Sequence, residues 1–360
     1  MKILIIGPFP EPIHGMSLAN MLVYDGLLKN NKLKIHKHNT VIKKTLKEKS
    51  LQGKFDITYL LGSTYDNIKL LLKICFLRYD ILYITPGQSV LGFLRFFPII
   101  LISKLLRTRT IQHIHGSQLR NNIDKKTGLI RNLCKINIYL TNKFIILSKT
   151  ILKDYSSLIP PSKMEICCNG VKIQEDTSNY NNKDINVLYL SNLMQEKGIV
   201  DLLKAIECID SDTIKFHFAG LIEPSIMKLC NDFFSKKSIN CKYYGQVSGK
   251  KKDTLFRLAD IFILPSYDEG VPLSILEAYS YSCAVITTPV GGIPDIFQNN
   301  INGIYSIPGD VKSIIHALNK VISNIDFYKT TNRDICKNNF SSEKFVSRIE
   351  KIILETNRVR

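Results

Sequence analysis

Glu269 and Glu277 stand eight positions apart in the segment DEGVPLSILEAYSYSCAVITTPVGGIPDI (268–296). That segment holds no Lys or Arg, although the whole chain carries a net charge of +18. Glu269 follows a buried-strand pattern, IFILPS (261–266), and precedes Gly270, which tolerates backbone angles other residues avoid. Pro272 then suits the first turn of a helix, where its missing N–H has no intrahelical partner to lose. The spacing predicts a helix through LSILEAYS (273–280). The first free N–H groups of such a helix, near Leu273 and Ser274, form an anion site suited to phosphate. Glu277 sits just over one turn inside, and an ionised carboxylate is an acceptor that suits a ribose diol. The stretch therefore fits a sugar nucleotide end to end: Glu269 at the sugar, helix amides at the diphosphate, Glu277 at the ribose. Taken alone, Glu277 reads equally as a solvated helix residue.

The elements that must position these groups are visible in the patterning. The first half alternates β-branched runs, KILIIG (2–7), DILYITP (80–86), TIQHIHG (110–116) and KFIILS (143–148), with helical stretches such as NIKLLLKICFLRY. The second half repeats this with strand candidates at 185–191, 214–220, 241–245, 261–266 and 284–288, and helices at 198–209 and 251–259. Strand–helix alternation of this kind means parallel sheets built from βαβ units. The polar stretch KIQEDTSNYNNKD (172–184) reads as a linker. A final amphipathic helix, SSEKFVSRIEKIILE (341–355), places Phe345, Ile349, Ile352 and Ile353 on one face. The expected organisation is two doubly wound α/β domains, 1–175 with 341–360 packing back on it, and 176–340. In such sheets ligands bind beyond the carboxyl ends of the strands. Neither half has a GxGxxG turn or a P-loop.

Composition narrows the function classes. Of 360 residues, 45% are hydrophobic, enough for ordinary globular cores. Nine dispersed cysteines without metal-type spacing read as free thiols in a reducing cytosol. The opening apolar run, Ile3–Ile6, is shorter than the roughly 7–15 residues of a secretory core. The most apolar stretch, LGFLRFFPIILISKLL (91–106), is broken by Arg95, Pro98 and Lys104, and reads as an amphipathic or buried helix rather than a membrane span. The charge is uneven: residues 1–180 hold 27 basic against 11 acidic residues, a surplus of +16, and residues 181–360 hold 22 against 20. A basic half meets nucleic acid, an anionic membrane or phosphorylated substrates, unless it is simply a solvated surface. No nucleic-acid motif or aromatic–basic stacking platform accompanies it, so nucleic acid is not expected. Asp210-Ser211-Asp212 has the D-x-D form that holds a metal in some sugar transferases, but between a helix and a strand it reads as a turn.

The segment around the two glutamates resembles the E-x7-E motif of glycosyltransferase family 4, retaining enzymes of the GT-B fold. The matching residues are Pro265, Ser266, Glu269, Gly270, Pro272, Glu277, Ala278, Gly291, Gly292 and Asp295. HIHG (113–116), NGV (169–171) and NLMQEKG (192–198) resemble the family's other motifs, in the same order along the chain. The resemblance implies two Rossmann-like domains facing a central cleft, with Glu269, His115 and Lys197 catalytic. It implies nucleotide-sugar contacts from Glu277, Asn192, Gly270, Val271, Pro272, Leu273, Ser274, Gln246, Val247 and Gly15. Lys197 matches the lysine on the donor diphosphate, where a cation offsets charge gained by the leaving group. It also implies no metal and no cofactor. The expected activity is transfer of a hexose or N-acetylhexosamine, from a UDP-sugar rather than a GDP-sugar. The expected acceptor is a polyprenyl-diphosphate-linked saccharide of O-antigen or capsule synthesis, met at the inner face of the cytoplasmic membrane through the basic first half. A sugar-nucleotide epimerase of similar fold is the alternative. Three positions depart from the family: Asn192 stands where an arginine is usual, Met16 where a Gly-Gly pair is common, and Ser282 and Ala284 replace a Gly and a Pro.

Overall fold

A computed structural model of the chain describes residues 1–41, 57–175, 184–236 and 240–358. It divides into two compact units, Met1–Asn169 with Glu343–Arg360, and Gly170–Ser342. The division falls at 169/170, a few residues before the 175/176 expected, because Val171 already bridges to Ser341 within the second unit. The expected linker lies partly, over 176–183, outside the described residues.

Unit 1 contains β1 (Lys2–Gly7), β2 (Lys34–Asn39), β3 (Ile81–Ile84), β4 (Arg109–Ile114), β5 (Lys143–Ile146) and β6 (Met164–Ile166). They form one sheet in the order β2-β1-β3-β4-β5-β6, all parallel. Its helices are α1 (Gly15–Leu28), α2 (Ile57–Leu77), α3 (Val90–Leu94), α4 (Phe97–Leu105), α5 (Gln118–Asp124), α6 (Gly128–Leu140) and α7 (Lys149–Tyr155). Parallel strands are buried on both faces, which is why the central ones are near-continuous Ile and Leu runs. One face, with Ile3, Ile5, Ile81 and Ile111, packs on Val23 and Leu27 of α1 and on Phe345 and Ile349 from the chain's last helix. The other face, with Leu4, Ile6, Leu82 and Ile84, packs on Leu70 and Ile74 of α2 and Ile99 and Ile100 of α4. The edge strand β2, KIHKHN, has a polar pattern and was not expected from the sequence; β6 is another such edge strand.

Unit 2 contains β7 (Ile185–Leu190), β8 (Ile214–Ala219), β9 (Cys241–Tyr243), β10 (Ile261–Leu264), β11 (Ala284–Thr287) and β12 (Gly303–Tyr305), again parallel, in the order β12-β11-β10-β7-β8-β9. Its helices are α8 (Ile199–Glu207), α9 (Met227–Phe234), α10 (Gly249–Leu258), α11 (Leu273–Ser280), α12 (Val311–Ser323) and α13 (Ile325–Asn339). The last helix, α14 (Ser342–Arg358), returns to unit 1 with Phe345, Ile349, Ile352 and Ile353 buried, the face expected of it. In unit 2 the chain runs outward from β7 to β9, then restarts on the other side of β7 with β10. The strand order therefore reverses between β7 and β10, the crevice where doubly wound sheets bind ligands.

Candidate functional site

Lys197 lies in the loop leaving β7 and Glu269 in the loop leaving β10, so the two flank that reversal point. The Lys197 ammonium is 2.8 Å from the Glu269 carboxylate and 3.3 Å from the Asp268 carbonyl oxygen. Glu269 is buried. Its Oε1 also accepts a hydrogen bond of 2.8 Å from the Ser266 hydroxyl. Ser266 is fixed in turn, since its carbonyl accepts from the Thr288 hydroxyl at 2.5 Å. A buried carboxylate held by one cation and one hydroxyl has its orientation set before any ligand arrives.

Two glycines let the loops come this close. At Gly198 φ is +70°, and a Cβ would stand 1.9 Å from the Pro265 carbonyl oxygen. At Gly291 φ is +55°, and a Cβ would stand 1.7 Å from the Glu269 carbonyl oxygen. Both angles disfavour L side chains and both distances forbid them. The resemblance gave the GG pair at 291–292 only as a motif; the structure supplies the reason, a backbone approach that the amide of Gly292 completes by donating to Gly270 O at 2.9 Å. Tyr189 on β7 donates its hydroxyl to the carbonyls of Asn192 at 3.2 Å and Lys197 at 3.4 Å. Burial, with the Glu269 charge adding to it, pushes the Tyr189 hydroxyl well above its ordinary pKa, so it remains a donor.

Helix α11 begins at Leu273 with Pro272 as its N-cap and no side-chain cap. Val271, Pro272, Leu273 and Ser274 thus form a helix start at the same carboxyl edge as Glu269 and Gly270. Gln246 and Val247 follow β9, also at that edge, and Asn192 follows β7 with an exposed side chain. Glu277 is one turn deeper in α11, where Lys252 of α10 pairs with its Oε1 at 2.5 Å. That partner was not foreseen from the sequence. Lys252 belongs to a run of three lysines that gives no sign which one turns inward, and the contact spans two helices. A carboxylate retains further lone-pair directions for a diol. Asp210-Ser211-Asp212 precedes β8, at the opposite edge of the sheet, where Ser211 Oγ accepts from the Thr213 amide at 3.3 Å. It is a turn.

In unit 1, His115 immediately follows β4 and its Nε2 is buried without a partner. Burial, and then the nearby His14, lower its pKa to about 3, so its imidazole is neutral. Its ring lies 3.9 Å, centre to centre, from that of His113 on the same strand. His113 is fully buried, and burial pushes its pKa well down. Its Nδ1 meets the Tyr83 hydroxyl, a donor whose own pKa burial pushes well up. Gly15 opens α1 directly after His14, whose Nδ1 accepts from the Ser17 amide as the N-cap.

Residues 171–339 match the family model of glycosyl transferases group 1. That match spans nearly all of unit 2, so unit 2 is similar to a group 1 glycosyl transferase domain. The match takes in Asn192, Lys197, Gln246, Val247, the Glu269–Ser274 stretch and Glu277. Among curated relatives, an uncharacterised glycosyltransferase of Methanocaldococcus jannaschii is 23% identical over 63% of this chain and 63% of its own length. An Escherichia coli enzyme named UDP-Gal:alpha-D-GlcNAc-diphosphoundecaprenol alpha-1,3-galactosyltransferase is 22% identical over 55% of each chain. The matches thus span less than two thirds of these relatives. Among solved structures, Anabaena HepE in complex with UDP superposes with a TM-score of 0.75, covering 99% of this chain and 100% of that one at 14% identity. That likeness shows the expected two-domain, Rossmann-like α/β fold.

Proposed function

We propose that this chain is a retaining glycosyltransferase. It moves a hexose or N-acetylhexosamine from a nucleotide sugar, a UDP-sugar in preference to a GDP-sugar, to a lipid-linked saccharide of bacterial O-antigen or capsule synthesis. The observation that carries the reading is the Lys197–Glu269 pair at the strand-order reversal of a group 1 glycosyl transferase domain. UDP is favoured because HepE was crystallised with it, and the Escherichia coli relative is named for a UDP-sugar donor and a diphosphoundecaprenol acceptor.

In this reading Lys197 and the start of α11 hold the donor diphosphate, Glu277 the ribose, and Gln246 and Val247 the base. Gly270, Val271 and Asn192 line the same edge, and Asn192 supplies no charge where the motif it resembles has an arginine. Glu269 holds the hydroxyls of the transferred sugar. The bond between the anomeric carbon and the phosphate oxygen breaks with its electron pair leaving on the diphosphate. Lys197 and the α11 amides stabilise that gain of charge. The acceptor hydroxyl attacks from the side the phosphate leaves and gives its proton to a departing phosphate oxygen. His115 and Gly15 are the residues of unit 1 assigned to the reaction, and neutral His115 can donate or accept a hydrogen bond without adding charge. The reading requires no metal or cofactor. The surplus of positive charge in the first 180 residues suits the anionic inner face of the cytoplasmic membrane.

The test is a panel of UDP- and GDP-sugars, first by thermal shift and then in transfer assays with lipid-linked saccharides. Glu269→Gln should lower turnover by at least about 100-fold, the scale on which positioned polar groups act, while its melting temperature stays near that of the parent. Full activity of that variant on the cognate pair would falsify the assignment. Consumption of donor without a transferred product would instead support an epimerase.

A further inference from the structure

Unit 1 shows an unusual distribution of exposed apolar side chains. Of twenty large hydrophobic residues exposed among the described residues, twelve lie on α2, α3, α4 and α6. These helices are neighbours: α4 packs against both α2 and α6, and α3 against α6. They lie on the sheet face opposite α1 and α14.

Helix α2 is the clearest case. Leu70 and Ile74 point into the core with no exposure. Tyr65, Ile68, Leu72 and Phe76 recur at spacings of three, four and four, so they form a second apolar stripe. At about 100° per residue that stripe lies on the side away from Leu70 and Ile74. All four residues are exposed, Phe76 by 82%. A surface helix ordinarily puts polar residues on that side. Leu101 and Leu105 repeat the arrangement on α4, and Ile136 and Tyr139, the latter 78% exposed, on α6.

The charges within this surface have one sign. Across α2, α3, α4 and α6 the only acidic residue is Asp66, which is tied to Arg95 at 2.6 Å and His38 at 2.9 Å. Lys69, Lys104 and Lys135 stand exposed between the apolar positions. Lys69 lies over the Tyr65 ring, 4.5 Å from its centre. No described helix is long and apolar enough to cross a membrane. Apolar and aromatic side chains interleaved with lysine, on helices that cannot span, are the composition of a surface that lies in the headgroup region of an anionic bilayer.

We propose that the outer faces of α2, α4 and α6 are the membrane-docking surface of this protein and that their partner is an anionic lipid bilayer. Phe76, Leu72 and Tyr139 enter the acyl boundary, and Lys69, Lys104 and Lys135 bind the headgroups. The proposal shares with the functional reading above the idea of work at a membrane, and locates it. It does not depend on the transfer chemistry.

The experiment is sedimentation of the full-length protein with vesicles of phosphatidylcholine alone or with 30% phosphatidylglycerol, about that fraction being enough for a negative surface, at low and high salt and without sugar nucleotide. The parent should sediment with the anionic vesicles, less at high salt. Leu72→Ser/Phe76→Ser/Tyr139→Ser and Lys69→Glu/Lys104→Glu/Lys135→Glu should each weaken that binding at least about tenfold, the first by loss of apolar insertion and the second by loss of attraction to the anionic headgroups. Lys29→Glu/Lys32→Glu/Lys351→Glu changes net charge equally on the α1 and α14 side and should leave binding within twofold. Glu269→Gln should bind vesicles as the parent does, so loss of transfer and loss of docking are read separately. Three results overturn the proposal: no sedimentation of the parent with anionic vesicles, equal weakening by the two charge-reversal triples, or an apolar triple that changes oligomeric state without changing vesicle binding.

Discussion

The two units share a plan, six parallel strands with helices on both faces, but spend their polar residues differently at the carboxyl edge. Unit 2 places full charges there and pairs them: Lys197 with Glu269, Lys252 with Glu277. Unit 1 places His113 and His115 there, and burial holds both neutral. The strand orders differ in parallel. Unit 1 runs β2-β1-β3, with its reversal after the second strand, whereas unit 2 runs three strands outward before reversing at β7 and β10. A site for a diphosphate needs a cation and helix amides at hand. A neutral sugar needs acceptors and donors without a field. The contrast fits the proposed reading, in which the charged donor is held by residues of unit 2.

The strongest way to break this comparison is at the backbone of unit 2. Gly291→Ala puts a methyl into the Glu269 carbonyl at a φ of +55°. It should cost at least about 3 kcal/mol in urea unfolding and abolish donor-induced stabilisation; a variant as stable as the parent would show that the loops do not need their close approach. A smaller effect tests the neutral edge of unit 1. The unfolded chain protonates a histidine near pH 6.5, but folded His115 does so only at about pH 3. The stability that comes from keeping it neutral is present above pH 6.5 and lost as pH falls toward 3, by up to about 1.4 kcal/mol per pH unit. Unfolding curves between pH 7 and pH 4 should show a shallower decline in His115→Asn than in the parent, and parallel curves would place the buried histidine pair elsewhere in the energetics. The smallest effect sharpens the account of unit 2. Ser282, just past α11, has a φ of +61°, with Arg333 Nη1 3.4 Å from its hydroxyl. The motif this segment resembles has glycine near this position, and Ser282→Gly should raise stability by about 0.5–1 kcal/mol. A lower melting temperature would mean that the Arg333 contact outweighs the backbone strain.

These particulars show what could be read from the chain alone. The central strands were legible because strands buried on both faces must be continuous runs of Ile, Leu, Val and Phe. The edge strands β2, β6 and β12 were not, since half-covered or three-residue strands carry no such run. The order of motifs placed Lys197, Glu269 and the start of α11 at one edge. It could not show that Lys197 and Glu269 bond each other, that Ser266 steers the carboxylate, or that Lys252 occupies Glu277, because those contacts join loops and helices far apart in sequence. The outer stripe of α2 was written in the sequence, but residues 57–77 also carry an inner stripe, and periodicity alone does not say which of two apolar faces is covered.

The Lys197–Glu269 contact has a kinetic corollary. In the proposed reaction an anionic leaving group held by Lys197 would have to give it up before the next cycle, and Glu269 stands 2.8 Å from that ammonium. A tethered carboxylate acts at high effective concentration. Under the proposed function it would compete with the spent nucleotide for the ammonium, so the residue proposed to orient the sugar would also reset the site.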